Sequence, residues 1–166
     1  MTDRDQVVAL IPRLRRYARA LVGDAGTADD LVQDTLERAL GKLHLWKPGT
    51  DLRAWLFAVM HNVYVNQLRR RRESTAFDED AMDIPVRATQ EGALAARDLQ
   101  RGLERLPAEQ REVLLLVVLE DMSYQEVATA LEVPIGTVMS RLSRARDKLR
   151  VAMEGTPSST RLQVVK

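Results

Sequence analysis

Apolar residues recur every three or four positions along most of this chain, which is the spacing of one helix face. Three such stretches come first. One helix is predicted to end near Gly23, a second to be capped by Thr27, and a third to run from Leu52 into the arginines at 69–72. These helices predict one small core. Its inward positions are Val7, Leu10, Leu14, Ala18, Leu21, Ala28, Leu31, Val32, Leu36, Ala39, Leu40, Leu43, Leu52, Trp55, Leu56, Val59 and Val63.

A second helical group is predicted to start near Ala93, after a stretch from Glu73 to Glu91 that is acidic and has no periodicity. Its first helix carries apolar residues at helical spacing, and Pro107 opens the next one. The apolar run at 113–119 fits a buried strand or a buried helix by pattern alone. A helical start and no other strand signal favour the helix. The apolar positions of the first helix are Leu94, Leu99, Leu103 and Leu106.

The segment 123–150 reads as two helices joined by a tight turn, which is typical of a helix-turn-helix. Ser123 and Glu126 are spaced as a capping box, and Pro134 suits the first position of the second helix. That second helix is strongly basic, so it is a candidate for the DNA major groove. A solvated basic surface is the alternative interpretation.

Together these patterns predict an all-α protein of two small helical domains joined by a flexible linker, the second containing the helix-turn-helix. The predicted bounds are 5–72 for the first domain, 73–92 for the linker, 93–154 for the second domain and 155–166 for a disordered tail. The linker leaves the placement of the two domains open.

The composition limits the classes of function that this chain can have. Of 166 residues, 45% are hydrophobic, 30% charged and only 4% aromatic, as in a globular helical protein. The net charge is +1, so affinity for nucleic acid has to come from local patches. There is no cysteine, no phosphate-binding glycine loop and no catalytic motif, so we expect no enzyme activity, cofactor or small-molecule substrate. The polar amino terminus and the short apolar runs predict a cytoplasmic protein without membrane insertion.

The first domain offers two candidate surfaces. Acidic residues crowd the start of the second helix, where they serve either as a docking surface or as compensation of the helix dipole. The third helix carries amide and basic side chains suited to bases and phosphates. Trp55 on that helix is interpreted as a core residue rather than a stacking platform. His44 and His61 lack metal-ligand spacing, so no metal site is expected.

Three segments resemble one family. Residues 24–40 resemble conserved region 2.2, residues 52–72 resemble regions 2.3 and 2.4, and Leu106–Leu115 with the helix-turn-helix resembles region 4 of bacterial sigma factors. In this order they are similar to the two-domain extracytoplasmic-function (ECF) class. The segment Pro48–Phe57, together with the first helix, resembles the general-stress subgroup.

The resemblance implies a role for each surface. Core RNA polymerase would be bound through its β′ clamp and β flap, promoter DNA would be the second partner, and an anti-sigma factor the third. The β′ clamp would be contacted by Asp29, Asp30, Gln33, Asp34 and Glu37. Unpaired bases and phosphates of the −10 element would be held by Lys47, Thr50, Asp51, Asn62, Asn66, Arg69 and Arg70. The −35 element would be read by Pro134, Thr137, Met139, Ser140, Arg141 and Arg144.

Two positions depart from the family pattern. Glu132 stands where glycine is usual, at a turn that favours positive φ. Met139 stands where arginine or lysine is more common, which suggests an apolar contact such as a thymine methyl group.

Two alternatives to a sigma factor stay open on the sequence. A stand-alone helix-turn-helix regulator would bind duplex DNA without polymerase, usually as a dimer, and no dimerisation heptad is visible. A sigma-like mimic that binds an anti-sigma factor would tend to lose the DNA-facing arginines, which this chain keeps.

Overall fold

The computed structural model describes residues 1–73 and 90–154, and within those ranges the chain is helical without strands. We call α1–α3 the first unit and α4–α7 the second unit. A short 3₁₀ turn, Leu43–Leu45, follows α2. The helices are α1 (Asp3–Val22), α2 (Ala25–Gly41), α3 (Leu52–Glu73), α4 (Gln90–Arg105), α5 (Ala108–Val118), α6 (Tyr124–Leu131) and α7 (Ile135–Glu154).

The first unit packs α1, α2 and α3 around a core in which Tyr17 and Phe57 meet edge to face, with ring centroids 4.9 Å apart. Helix α1 ends at Gly23 as predicted, because this residue has a φ of 78°. The predicted cap on Thr27 is wrong. Asp24 caps α2 and accepts hydrogen bonds from the backbone N–H and the hydroxyl of Thr27, at 2.8 and 2.7 Å. A carboxylate at this end also faces the positive pole of the helix.

The second unit forms around α5, which confirms the helical interpretation of the apolar run. Ser123 and Glu126 form the predicted capping box at the start of α6. Glu132 ends α6 in the left-handed conformation, with φ 55° and ψ 48°. Helix α7 begins at Ile135, so Pro134 lies one residue before its predicted place at the first helical position. The core of this unit includes Val113, Val127, Val138 and Leu142.

Some predicted core positions face outward. Leu40, Leu94 and Leu99 are 38%, 58% and 45% exposed. Leu40 and Leu94 lie near a helix end, and Leu99 lies on the solvent side of α4 in the middle of that helix. The predicted linker lies mostly outside the described residues, although α3 extends to Glu73 and α4 already begins at Gln90. The predicted tail at 155–166 lies wholly outside them.

The two units contact each other: α1 packs on α4 and α5, and α3 packs on α6. Arg111 of α5 ties this junction together, since its guanidinium donates to the carbonyl of Leu21 at 2.8 Å. The same side chain donates to the carbonyls of Leu103, Glu104 and Leu106 at 2.7–3.1 Å. In residues 1–73 and 90–154, no helix has the length and apolar character needed to cross a membrane.

Candidate nucleic-acid interface

Helix α7 presents most of its predicted DNA-contacting residues outward. Val138, Leu142 and Ala145 bury one side against α5 and α6. The opposite side carries Ser140 and Arg144, which are exposed, and the capping turns leave the start of the helix open to solvent. A basic helix held by its apolar side is the arrangement that a recognition helix needs.

Arg141 and Met139 lie on different flanks of this exposed strip, since residues two apart on a helix do not share a face. Arg141 is only 24% exposed and its guanidinium lies 3.7 Å from the carboxylate of Glu109. Met139 is 49% exposed and lies beside Tyr124 and Arg146 in a shallow depression. The two side chains therefore leave α7 on opposite flanks of the exposed strip.

The loop that precedes α3 is exposed from Lys47 to Asp51. The Thr50 hydroxyl donates to the Lys47 carbonyl at 2.7 Å, which closes a tight turn. Asp51 accepts from the backbone N–H of Arg53 at 3.0 Å, so its carboxylate caps the helix in addition to any contact with DNA. Trp55, one turn later, is half-buried against the core, in line with its interpretation as a core residue.

The predicted −10 residues of α3 divide between two surfaces. Asn62, Asn66 and Arg70 recur every four residues and share a face. Asn66 and Arg70 line a groove of about 520 Å³ between α2 and α3. Arg69 instead lines a cleft of about 380 Å³ between the two units, where Arg141 also lies. We call this second space the interunit cleft.

The predicted docking residues form one exposed acidic face on α2. Asp34 and Glu37 also border the α2–α3 groove, where the Gln67 amide donates to Asp34 at 2.9 Å. Helix α2 begins at Ala25 and has no acidic residue in its first turn. Dipole compensation therefore belongs to the cap residue Asp24 and does not explain this face, since the effect fades within the first turn. The exposed members are Asp29, Asp30, Gln33, Asp34 and Glu37.

Two buried carboxylates that the sequence analysis did not single out lie at the junction between the units. Glu112 is 3% exposed, and its carboxylate oxygens lie 2.9 and 3.0 Å from Nδ1 of His61. Glu120 is fully buried, and its carboxylate lies 3.4 Å from Arg16 and 3.8 Å from Arg13. Burial raises the pKa of both carboxyl groups. The hydrogen bond with His61 opposes the rise at Glu112, and the charges of Arg13 and Arg16 oppose it at Glu120.

The sequence contains a signal for one of these two carboxylates, Glu112. Glu112 lies three and four positions before Leu115 and Leu116, so it shares the apolar face of α5. An acid on a buried face requires a partner. The partner itself, His61, is 51 residues away along the chain, and no local pattern identifies it.

Comparison with known proteins points to one family. The family model "Sigma2 domain of PhyR" matches residues 7–61, and "Sigma-70, region 4" matches residues 96–149. The chain is 39% identical to the ECF RNA polymerase sigma factor EcfG of Rhodopseudomonas palustris, over 90% of this chain and 84% of that protein. It belongs to the ECF family of RNA polymerase sigma factors. The sigma factor SigL of Mycobacterium tuberculosis is 34% identical over 85% of this chain and 82% of its own length.

Two solved structures share the fold of this chain. One is the sigma factor RpoE in complex with the anti-sigma factor NepR from Bartonella quintana, with a TM-score of 0.78 and 35% identity. The match covers 92% of this chain and 96% of that one, so it spans both units. Another is CnrH in complex with the cytosolic domain of CnrY, with a TM-score of 0.67 and 27% identity over 90% of this chain and 86% of that one.

Proposed function

We propose that this sigma factor reads promoters in two parts, with the first domain (5–72) recognising and melting the −10 element and the second (93–154) recognising the −35 element. The observation that carries the proposal is the separation of three exposed surfaces of different chemistry on one chain. They are the acidic face of α2, the amide and arginine face of α3, and the basic strip of α7. A polymerase subunit and two stretches of DNA each require one such surface.

The acidic face of α2 is the docking surface for core polymerase. Its residues are exposed, lie outside the first turn of the helix and therefore contribute little to the stability of α2. A row of carboxylates fits a basic helical surface, and electrostatic complementarity both steers encounter and fixes register. The β′ clamp is the partner that the family resemblance indicates.

The face of α3 and the loop before it hold the melted −10 element. Asn62 and Asn66 carry both donors and acceptors for base edges, and Arg70 supplies positive charge for phosphates. Base capture offsets the cost of unstacking, which is a few kcal/mol for each base. Binding of unpaired bases thereby drives melting, and no catalytic group is needed.

The strip of α7 reads the −35 element in the major groove. Thr137, Ser140 and Arg144 recur at helical spacing, which lets them reach successive base edges or phosphates. Met139 adds an apolar contact on one flank, and Arg141 adds a bidentate donor on the other. The β flap of the polymerase holds this unit in register with the first.

Further partners follow from the relatives. The structures of RpoE with NepR and of CnrH with CnrY are complexes with other proteins, and the first is named as an anti-sigma complex. An anti-sigma factor is therefore a partner of this chain, and the cytoplasm, where polymerase acts, is its site of action. Membership of the general-stress subgroup stays a prediction.

An initiation assay tests the proposal. Purified protein, bacterial core polymerase and a promoter library are mixed, and transcripts are sequenced from their 5′ ends. We expect defined start sites only when both proteins are present. Tight and specific duplex binding by the free chain, with no gain on adding core polymerase, would instead identify a stand-alone regulator.

A further inference from the structure

The contact between the two units is built around charged groups that a simple apolar interface does not need. Glu112 and Glu120 both belong to the second unit, and both are buried at the junction. Among the partners of these acids, His61, Arg13 and Arg16 come from the first unit. Each buried acid thus has a close partner across the junction.

Glu120 is the centre of the larger cluster. Its carboxylate lies 3.4 Å from Nη2 of Arg16 and 3.8 Å from Nε of Arg13, both on α1. Arg53 of α3 donates from Nη1 to the backbone carbonyl of Glu120 at 2.8 Å. Arg16 also donates to the carbonyl of Leu119 at 3.3 Å. Two helices of the first unit therefore hold the turn that connects α5 to α6.

This turn has a strained backbone. Asp121, directly after Glu120, has a φ of 53°, a conformation that side chains other than glycine rarely adopt. Such a conformation persists when the surrounding contacts hold it in place. The hydrogen bonds from Arg16 and Arg53 on the carbonyls of Leu119 and Glu120 are contacts of this kind.

A second cluster adds to the contact. His61 of α3 meets Glu112 of α5 at 2.9 Å, and Arg53 lies 3.8 Å from the carboxylate of Glu126 on α6. Separation of the units would expose Glu112 and Glu120 to water, which solvates carboxylates well. Opening would therefore leave neither acid buried without a partner, whereas the ion pairs with the first unit favour the closed form.

The closed form places the two promoter-reading surfaces too close together. Arg69 and Arg141, which the family resemblance assigns to the −10 and −35 elements, line the same interunit cleft. The element names denote positions about 25 base pairs apart, or roughly 80 Å of B-DNA at 34–36 Å per turn. Two residues that share one cleft cannot contact both elements at once. In addition, Arg141 is paired with Glu109 in this form.

We propose that the free sigma factor holds itself closed through this interunit latch, and that it must open to read a promoter with polymerase. The latch consists of Arg13, Arg16, Arg53 and His61 on the first unit with Glu112, Glu120 and Glu126 on the second. The proposal rests on the promoter-reading roles proposed above. The structure of RpoE with the anti-sigma factor NepR from Bartonella quintana matches 92% of this chain with a TM-score of 0.78, so the match spans both units. Here the chain's own contacts supply the closure.

The test weakens the latch without disturbing either core. Arg13→Ala with Arg16→Ala removes two side chains that are 40% and 55% exposed. Arg15→Ala with Arg19→Ala is the matched control, because these arginines are exposed on the same helix and form no ion pair within residues 1–73 and 90–154. Arg13→Lys with Arg16→Lys is the conservative variant, which retains the charge and part of the closure.

The chain has no cysteine, so two introduced cysteines accept spin labels specifically. Ala9→Cys on α1 and Val151→Cys on α7 are exposed positions, one on each unit. Pulsed electron resonance then gives the distance distribution between the units in the free protein. We expect a narrow, short distribution in the parent and control proteins, and a broader, longer one in the double alanine variant.

Initiation with core polymerase gives the second readout. We expect the double alanine variant to reach half-maximal initiation at an at least fivefold lower concentration than the control, the lower end of typical coupling between sites. An unchanged distance distribution would overturn the latch, and an opened variant with unchanged initiation would overturn its regulatory role. If distances respond but no protein initiates transcription, the sigma function fails while the closed form stands.

Discussion

At the scale of single residues, Glu132 has a backbone conformation that is unfavourable for a residue with a side chain. It ends α6 with a φ of 55°, in the region that glycine occupies without steric cost. The backbone N–H of Val133 still donates to the Ala128 carbonyl at 3.0 Å, so the turn keeps its closing bond. The sequence alone indicated this strain, because the resemblance placed a glycine-favouring turn here.

Glu132→Gly is therefore expected to stabilise the protein by about 0.5–1 kcal/mol, through relief of the left-handed strain. Glu132→Ala is the control, since it removes the same side chain without relieving φ. Urea unfolding followed by circular dichroism gives both values. Equal stability of the glycine and alanine variants would show that the turn stores no strain.

The carboxyl group of Asp24 makes the stability of the folded state depend on pH. Hydrogen bonds from Thr27 lower the pKa of this carboxyl. Its charge therefore stabilises the folded state at pH values above the ordinary aspartate pKa. Asp24→Asn should cost a few tenths to about 1 kcal/mol at pH 7. The difference in stability between the parent protein and Asp24→Asn should shrink as the pH falls through the ordinary aspartate pKa and then through the lowered pKa of Asp24. Asp29→Asn on the same helix controls for loss of a charge, and a pH-independent gap for Asp24→Asn would contradict the assignment.

At the scale of elements, α2 and α7 each divide their circumference between a side that packs on the core and an exposed, charged side. In α2 the exposed face is acidic and in α7 it is basic, although the whole chain carries a net charge of only +1. The division follows from helical periodicity, since residues that serve one partner have to recur every three or four positions. Surface charge on these helices therefore acts locally.

Asp30→Arg combined with Asp34→Arg tests the face of α2. We expect affinity for core polymerase to fall at least about tenfold, or about 1.4 kcal/mol, because two attractive charges become repulsive. Asp3→Arg combined with Glu154→Arg makes the same change in net charge at exposed positions on other helices. Fluorescence anisotropy with labelled protein measures both. If both pairs lose affinity equally, the effect is one of overall charge and not of the α2 face.

At the scale of the whole molecule, the sequence predicts each unit better than it predicts their contact. The capping box on Ser123, the stop at Gly23 and the buried helix α5 all follow from signals within a few residues. The cap on Thr27 fails because a competing aspartate three residues earlier takes its place. The pairs Arg16–Glu120 and His61–Glu112 span 104 and 51 residues, and no local spacing encodes them.

The same limit applies to the candidate site. The resemblance assigns Arg69 and Arg70 to one DNA contact, whereas the structure sends them to different surfaces, Arg69 to the interunit cleft and Arg70 to the α2–α3 groove. Adjacent residues on a helix point about 100° apart, so this divergence follows from geometry once the neighbours are known. Sequence reasoning finds the basic run but not the surfaces that it serves.

The most direct measurement of the central claim is initiation from a promoter pool randomised across both elements, with core polymerase and sequencing of the active templates. A bipartite reader selects two separated sequence blocks, and Arg141→Ala relaxes the upstream block alone while Asn62→Ala relaxes the downstream block alone. Each loss should amount to about 1–3 kcal/mol of base discrimination. Selection of a single block, or a change in both blocks from either substitution, would contradict the two-part account.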